Sequence, residues 1–118
     1  MILRRLPFLG ISFFLFLGGC QTHSSCDFGS YSQAERFYEK GEYEKAIKKY
    51  QEYVQENRDG NMAAISYYYM AKSYDALKKP TEAREYYRKI IQDFPKSSWA
   101  AYAKTRLQEL QAEPSPSL

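Results

Sequence analysis

Three side chains able to act as nucleophiles or metal ligands, Cys20, His23 and Cys26, lie close together near the start of this 118-residue chain. His23 is its one histidine, and Cys20 and Cys26 are its two cysteines. A structural zinc site takes four such ligands, so one histidine and the thiols beside it cannot build one. A nucleophilic Cys/His or Ser/His pair needs a third group to orient the base, and only Thr22, Ser24 and Ser25 surround His23. Acids such as Glu35 and Asp75 are the raw material of a cell-wall hydrolase, the enzyme reading of the chain. Nothing in their spacing sets them apart from an ordinary charged helix surface. The residue types therefore predict a protein that is not an enzyme and holds no metal and no cofactor.

What Cys20 is for follows from the residues before it. Arg4 and Arg5 precede an apolar run from Leu6 to Leu17, which ends in Gly18 and Gly19. A basic start, a short apolar stretch and small residues before a cut site are the marks of a secretory signal. The apolar stretch is too short for a bilayer-spanning helix, which needs about 20 residues. Leu17-Gly18-Gly19-Cys20 resembles the lipobox of bacterial lipoproteins. The resemblance implies cleavage before Cys20, a diacylglycerol on its thiol and further acylation such as palmitate. Residues 1–19 are then the signal peptide and Cys20 the lipidation site. Gln21 at the next position resembles the default for export to the outer membrane, so the expected place is its periplasmic face. Cys26 is left to stay a free thiol or to pair between chains.

Arg4 and Arg5 supply two of the three net positive charges and leave with the signal. Charges of both signs are interspersed through the remainder, which gives a solvated surface rather than a basic patch. Nucleic acid is excluded as a partner class on that ground. Residues 20–29 read as the lipidated cysteine and a flexible tether, and residues 112–118, rich in Pro and Ser, as a disordered tail. Between them, residues 30–111 read as helical and repetitive.

Sliding the chain by 37 residues puts Ala34 on Ala71, Phe37 on Tyr74, Ala46 on Ala83, Tyr50 on Tyr87 and Val54 on Ile91. The same shift puts Met62 on Trp99 and Met70 on Leu107. Repeats of this size, each holding two helical periods, make a helical solenoid. Five helices are expected, over 32–40, 43–57, 61–77, 80–93 and 98–110. Ser32-Gln-Ala-Glu35 fits a capping box for the first, Gly41 ends it, and Pro80 suits the first turn of the fourth. Ser97 or Ser98 caps the fifth. Tyr43, Ala46, Ile47, Tyr50, Tyr53 and Val54 form the core face of the second helix, and Ala83, Tyr86, Tyr87, Ile90 and Ile91 that of the fourth. Trp99 is expected in the core.

Ala34-x2-Phe37-x3-Gly41-x-Tyr43-x2-Ala46-x3-Tyr50 resembles the tetratricopeptide repeat. So does Ala71-x2-Tyr74-x8-Ala83-x3-Tyr87-x7-Pro95, with Lys78 standing where the turn glycine is usual. The fold implied is all-α, a short solenoid of two tetratricopeptide helix pairs and a C-terminal capping helix. The spacing, with Asp93-Phe94-Pro95 and the segment after it, is similar to envelope members of the family. These are lipoproteins of the outer-membrane barrel-assembly machine and Tol-associated proteins that coordinate cell division and wall synthesis. Such a resemblance implies a protein-interaction module whose groove is lined by the first helix of each pair. Carried over, the groove residues are Tyr31, Glu35, Tyr38, Tyr68, Tyr69, Lys72, Asp75, Tyr102, Arg106 and Glu109. The lysines and asparagines with which some members grip a terminal carboxylate are replaced by Tyr31, Glu35 and Tyr69. The expected partner is an envelope protein or peptide segment held by aromatic contacts, with the membrane engaged through the lipid. A homodimer, in a self-assembling structural lipoprotein, is the alternative.

Overall fold

The computed structural model describes residues 28–113. Cys20, His23, Cys26, the signal and most of the tether and tail assigned from the sequence lie outside the described residues. Five α-helices follow in order: α1 (Phe28–Glu39), α2 (Tyr43–Glu56), α3 (Asn61–Ala76), α4 (Pro80–Asp93) and α5 (Ser98–Ala112). Short connections fold α1 against α2 and α3 against α4 as hairpins, α2 packs on α3, and α5 closes the stack against α4 and α3. The protein is an all-α solenoid of two helix pairs and a capping helix. Among the described residues, no helix is long and apolar enough to cross a membrane.

Alanine where helices meet sets the spacing of the stack. Ala34, Ala46, Ala71 and Ala83 are fully buried, as are Tyr50, Tyr87 and Ile90, which project from the second helix of each pair. A methyl group at the crossing lets the backbones approach, and the large rings fill the space on either side. The buried Ser66 and Ser73 of α3 donate to Met62 O and Tyr69 O, each at 2.7 Å, so neither hydroxyl is left unpaired in the core.

The two hairpin turns share one geometry. In the first, Gly41 takes a left-handed φ of 74°. The Gly41 N–H donates to Tyr38 O, and the Glu42 N–H to Phe37 O. In the second, Lys78 takes φ of 60°, with the Lys78 N–H donating to Asp75 O and the Lys79 N–H to Tyr74 O. These paired bonds are the Schellman termination of a helix. The lysine that replaces the turn glycine keeps the turn and accepts a strained backbone. Pro80 opens α4, where its missing N–H is no loss. At α5, of the two candidate caps, Ser97 serves: its Oγ accepts from the Trp99 N–H at 3.2 Å.

The start of α1 differs from the expectation. It begins at Phe28, so Ser32-Gln-Ala-Glu35 lies inside the helix and is not its cap, and residues 28 and 29 belong to the fold rather than the tether. The reason is Tyr31. Its ring packs edge-on against Tyr50 at 5.7 Å and Tyr53 at 5.4 Å, and only a helix that begins upstream of residue 31 delivers it there. At the other end α5 continues through Ala112, past the expected limit at 110 and into the first residue assigned to the tail.

Candidate functional site

The three consecutive tyrosines of α3 define two different surfaces. Successive residues of an α-helix point about 100° apart, so Tyr67 faces away from Tyr68 and Tyr69. Tyr67 turns toward the second helices, 6.1 Å from Tyr86 and 6.2 Å from Phe94, with the Lys89 ammonium 5.2 Å above its ring. There it helps to line a pocket of about 540 Å³ between α2 and α4, bounded also by Gln51, Val54, Met70 and Tyr86. Tyr68 and Tyr69 look the other way, onto the face formed by α1, α3 and α5.

That inner face is a continuous sheet of rings. From the α1 side, Tyr43 packs on Tyr38 at 5.5 Å and Tyr38 on Tyr69 at 5.0 Å. Tyr69 meets Tyr68 at 6.0 Å, and Tyr68 meets Trp99 at 5.1 Å and Tyr102 at 6.2 Å. Trp99 and Tyr102 contact each other at 5.6 Å. Most of these rings are partly buried, whereas Tyr102 is 57% exposed. Edge-to-face and tilted pairs of this kind hold their geometry without a ligand, each contributing about 0.5–1.5 kcal/mol beyond burial. The face is thus pre-formed and aromatic.

One lysine stands over it. The Lys72 ammonium lies 5.9 Å from the Tyr38 ring centre and 6.0 Å from those of Tyr68 and Tyr69. Burial pushes the Tyr68 hydroxyl up from its ordinary pKa, while the positive charges of Lys72 and Arg106 pull the other way. Beside the rings runs a polar chain. The Tyr87 hydroxyl donates to Asp75 Oδ2 at 2.9 Å, and Arg106 Nε donates to the same oxygen at 3.1 Å. Arg106 Nη1 then meets Glu109 Oε2 at 2.6 Å. The Glu109 bond, followed by Asp75, holds the guanidinium firmly protonated against the opposing effect of burial. This chain ties α3, α4 and α5 together.

The groove residues expected from the sequence divide accordingly. Tyr38, Tyr68, Tyr69, Lys72 and Tyr102 come together on the inner face. Glu35 is exposed on α1. Asp75, Arg106 and Glu109 flank the rings but spend their charges on one another, and the Asp75 side chain is only 12% exposed. Tyr31 is a correction: at 6% exposure it belongs to the core. Burial first, and the neighbouring Glu35 charge second, raise its hydroxyl above the ordinary tyrosine pKa. Its ring faces α2, so it presents no contact surface.

Trp99, expected in the core, is partly buried: it packs against the core of the second pair and also borders the inner face. Trp99, Tyr102, Arg106 and Glu109 follow a helical stripe of three and four residues. Tyr43, expected on the core face of α2, is instead only partly buried and joins the edge of this cluster, because it heads the helix beside Tyr38.

No curated protein compared with the chain matches it. Residues 66–97, which run from the second turn of α3 through α4 to the cap of α5, match the family model of the tetratricopeptide repeat, and α1 and α2 lie outside that match. Residues 66–97 are therefore similar to a tetratricopeptide repeat, a module that in general mediates protein–protein interactions and is typically non-catalytic.

Proposed function

We propose that this protein is a lipoprotein of the outer membrane, tethered at its periplasmic face through Cys20. Its inner face would recruit a protein segment in envelope biogenesis, in outer-membrane protein assembly or in the coordination of cell-wall synthesis and division. One observation carries the binding part: Tyr38, Tyr68, Tyr69, Trp99 and Tyr102 form a pre-organised aromatic surface with Tyr102 left in water. Tyrosine and tryptophan bury a large area on association and lose little rotamer freedom, so such a surface favours docking. The anchoring part is supported by the sequence alone, through Arg4, Arg5, the apolar run and Leu17-Gly18-Gly19-Cys20. A tether on a membrane raises the effective concentration of whatever else is held there, so weak intrinsic affinity suffices.

Two measurements test the two parts separately. Metabolic labelling with a radioactive fatty acid should mark the wild-type chain and leave Cys20→Ser unlabelled. Label on the Cys20→Ser chain contradicts the anchor. Chemical crosslinking in cells followed by purification should recover a defined envelope protein, and Tyr102→Ala should reduce the yield without changing the amount of folded chain. Unchanged recovery contradicts docking at the inner face.

A further inference from the structure

The charges around the inner face are unequal in one respect. Asp75, Arg106 and Glu109 satisfy one another, and Asp75 also accepts from Tyr87. Lys45 pairs with Glu42, Lys49 with Glu52, and Lys89 with Asp93, all on the second helices or the turns leading to them. Lys72 makes no ion pair and no hydrogen bond among the described residues; its contacts are the three tyrosine rings. Its ammonium lies at the outer edge of cation–π range from rings of α1 and α3, and all three of its N–H donors are without a hydrogen-bond acceptor among the described residues. Ring faces attract a cation but accept no strong hydrogen bond from it. An arriving carboxylate would complete that shell in surroundings drier than open water, where a charge-assisted bond is at its most favourable.

Next to Lys72, on the α5 side, Tyr68, Trp99 and Tyr102 make an apolar platform. We propose that the inner face takes a protein segment in which an aspartate or glutamate side chain sits on Lys72 while an adjacent apolar or aromatic side chain lies on Tyr68, Trp99 and Tyr102. This rests on the docking reading above and names the chemistry of the docked segment. One ammonium is a single point charge, suited to one side-chain carboxylate. The Asp75 carboxylate close by, already paired, sets against a second acid on the same segment, so the segment is sparsely acidic.

The chain carries its own reporter, since Trp99 is its only tryptophan. The full mature chain is titrated, with Trp99 emission as readout, against acetylated and amidated decapeptides of Gly and Ser with Glu-Phe at the centre. Gln-Phe and Glu-Ser versions are run beside them. The expected result is saturable binding of the Glu-Phe peptide, with the Gln-Phe peptide about tenfold weaker, as loss of one charge-assisted bond implies. The Glu-Ser peptide is weaker as well. Lys72→Met abolishes the difference between Glu and Gln, whereas Lys72→Arg keeps it. Equal binding of the Glu-Phe and Gln-Phe peptides, discrimination that survives Lys72→Met, or no binding of any peptide overturns the proposal. So does concentration-dependent self-association lost in Lys72→Met, which would assign the face to a second copy. Equal binding of the two peptides would leave the docking reading intact, which is tested separately by the recovery of a cellular partner with Tyr102→Ala.

Discussion

Two tyrosines at equivalent places in the two helix pairs have different chemistry. Tyr50 and Tyr87 are both fully buried. The Tyr87 hydroxyl donates to Asp75, while the Tyr50 hydroxyl has no hydrogen-bond partner among the described residues. A buried hydroxyl without a partner has lost its water for nothing, a cost of about 1–3 kcal/mol. Tyr50→Phe should therefore be neutral or stabilising in urea unfolding. Tyr87→Phe should destabilise by about 1–2 kcal/mol, because the bond to a carboxylate goes and Asp75 keeps only Arg106. Equal destabilisation of the two variants would contradict the assignment. At the same scale, Tyr102→Ala should change stability by less than about 0.5 kcal/mol, as befits an exposed ring. Its effect belongs to binding.

At the scale of the element, the paired turns give a reciprocal prediction. Gly41 and Lys78 occupy the same left-handed position. A methyl group added at Gly41 would meet nothing within 4 Å, so the cost of Gly41→Ala is backbone strain alone, about 1 kcal/mol. Lys78→Gly relieves the same strain and loses part of the gain to unfolded-chain entropy, so it should stabilise by about 0.5–1 kcal/mol. Thermal unfolding of both variants checks the pair, and a destabilised Lys78→Gly would contradict the turn geometry. The core faces of α2 and α4 were legible in the sequence because their apolar residues recur at strict helical spacing and their ends carry Gly41, Pro80 and Phe94-Pro95. The start of α1 was not, because Ser32-Gln-Ala-Glu35 mimics a cap locally while the burial of Tyr31 against α2, a tertiary contact, decides where the helix begins. The place of Trp99 was hidden for a related reason. Periodicity says which residues share a stripe, but which side of the stack that stripe meets depends on how α5 leans on α3.

Across the whole molecule, the core is built from tyrosine where many proteins use leucine, and that choice gives the fold an alkaline limit. Burial, before any neighbouring charge, raises the hydroxyls of Tyr31, Tyr50 and Tyr87 above the ordinary value of about 10. The folded chain keeps these protons where the unfolded chain would release them. Their contribution to stability is thus complete below about pH 10 and is lost as pH rises toward the folded values, by about 1.4 kcal/mol per pH unit for each such group. Melting temperature should hold steady up to about pH 9 and fall steeply above about pH 10. In Tyr50→Phe the fall should be shallower. A flat profile through pH 11, a value chosen to lie about one unit above the free tyrosine pKa, would contradict the burial of these hydroxyls.

The central claim is that the face of α1, α3 and α5, rather than the pocket between α2 and α4, receives the partner. The most direct measurement is photo-crosslinking in living cells from two positions, Tyr68 on the inner face and Glu85, exposed on α4 and lining the pocket between α2 and α4. Each is replaced by a photoreactive amino acid, and captured proteins are identified by mass spectrometry. A defined envelope protein captured from position 68 and not from position 85 is the predicted result. Capture from position 85 alone, or only copies of this chain captured from position 68, would contradict it.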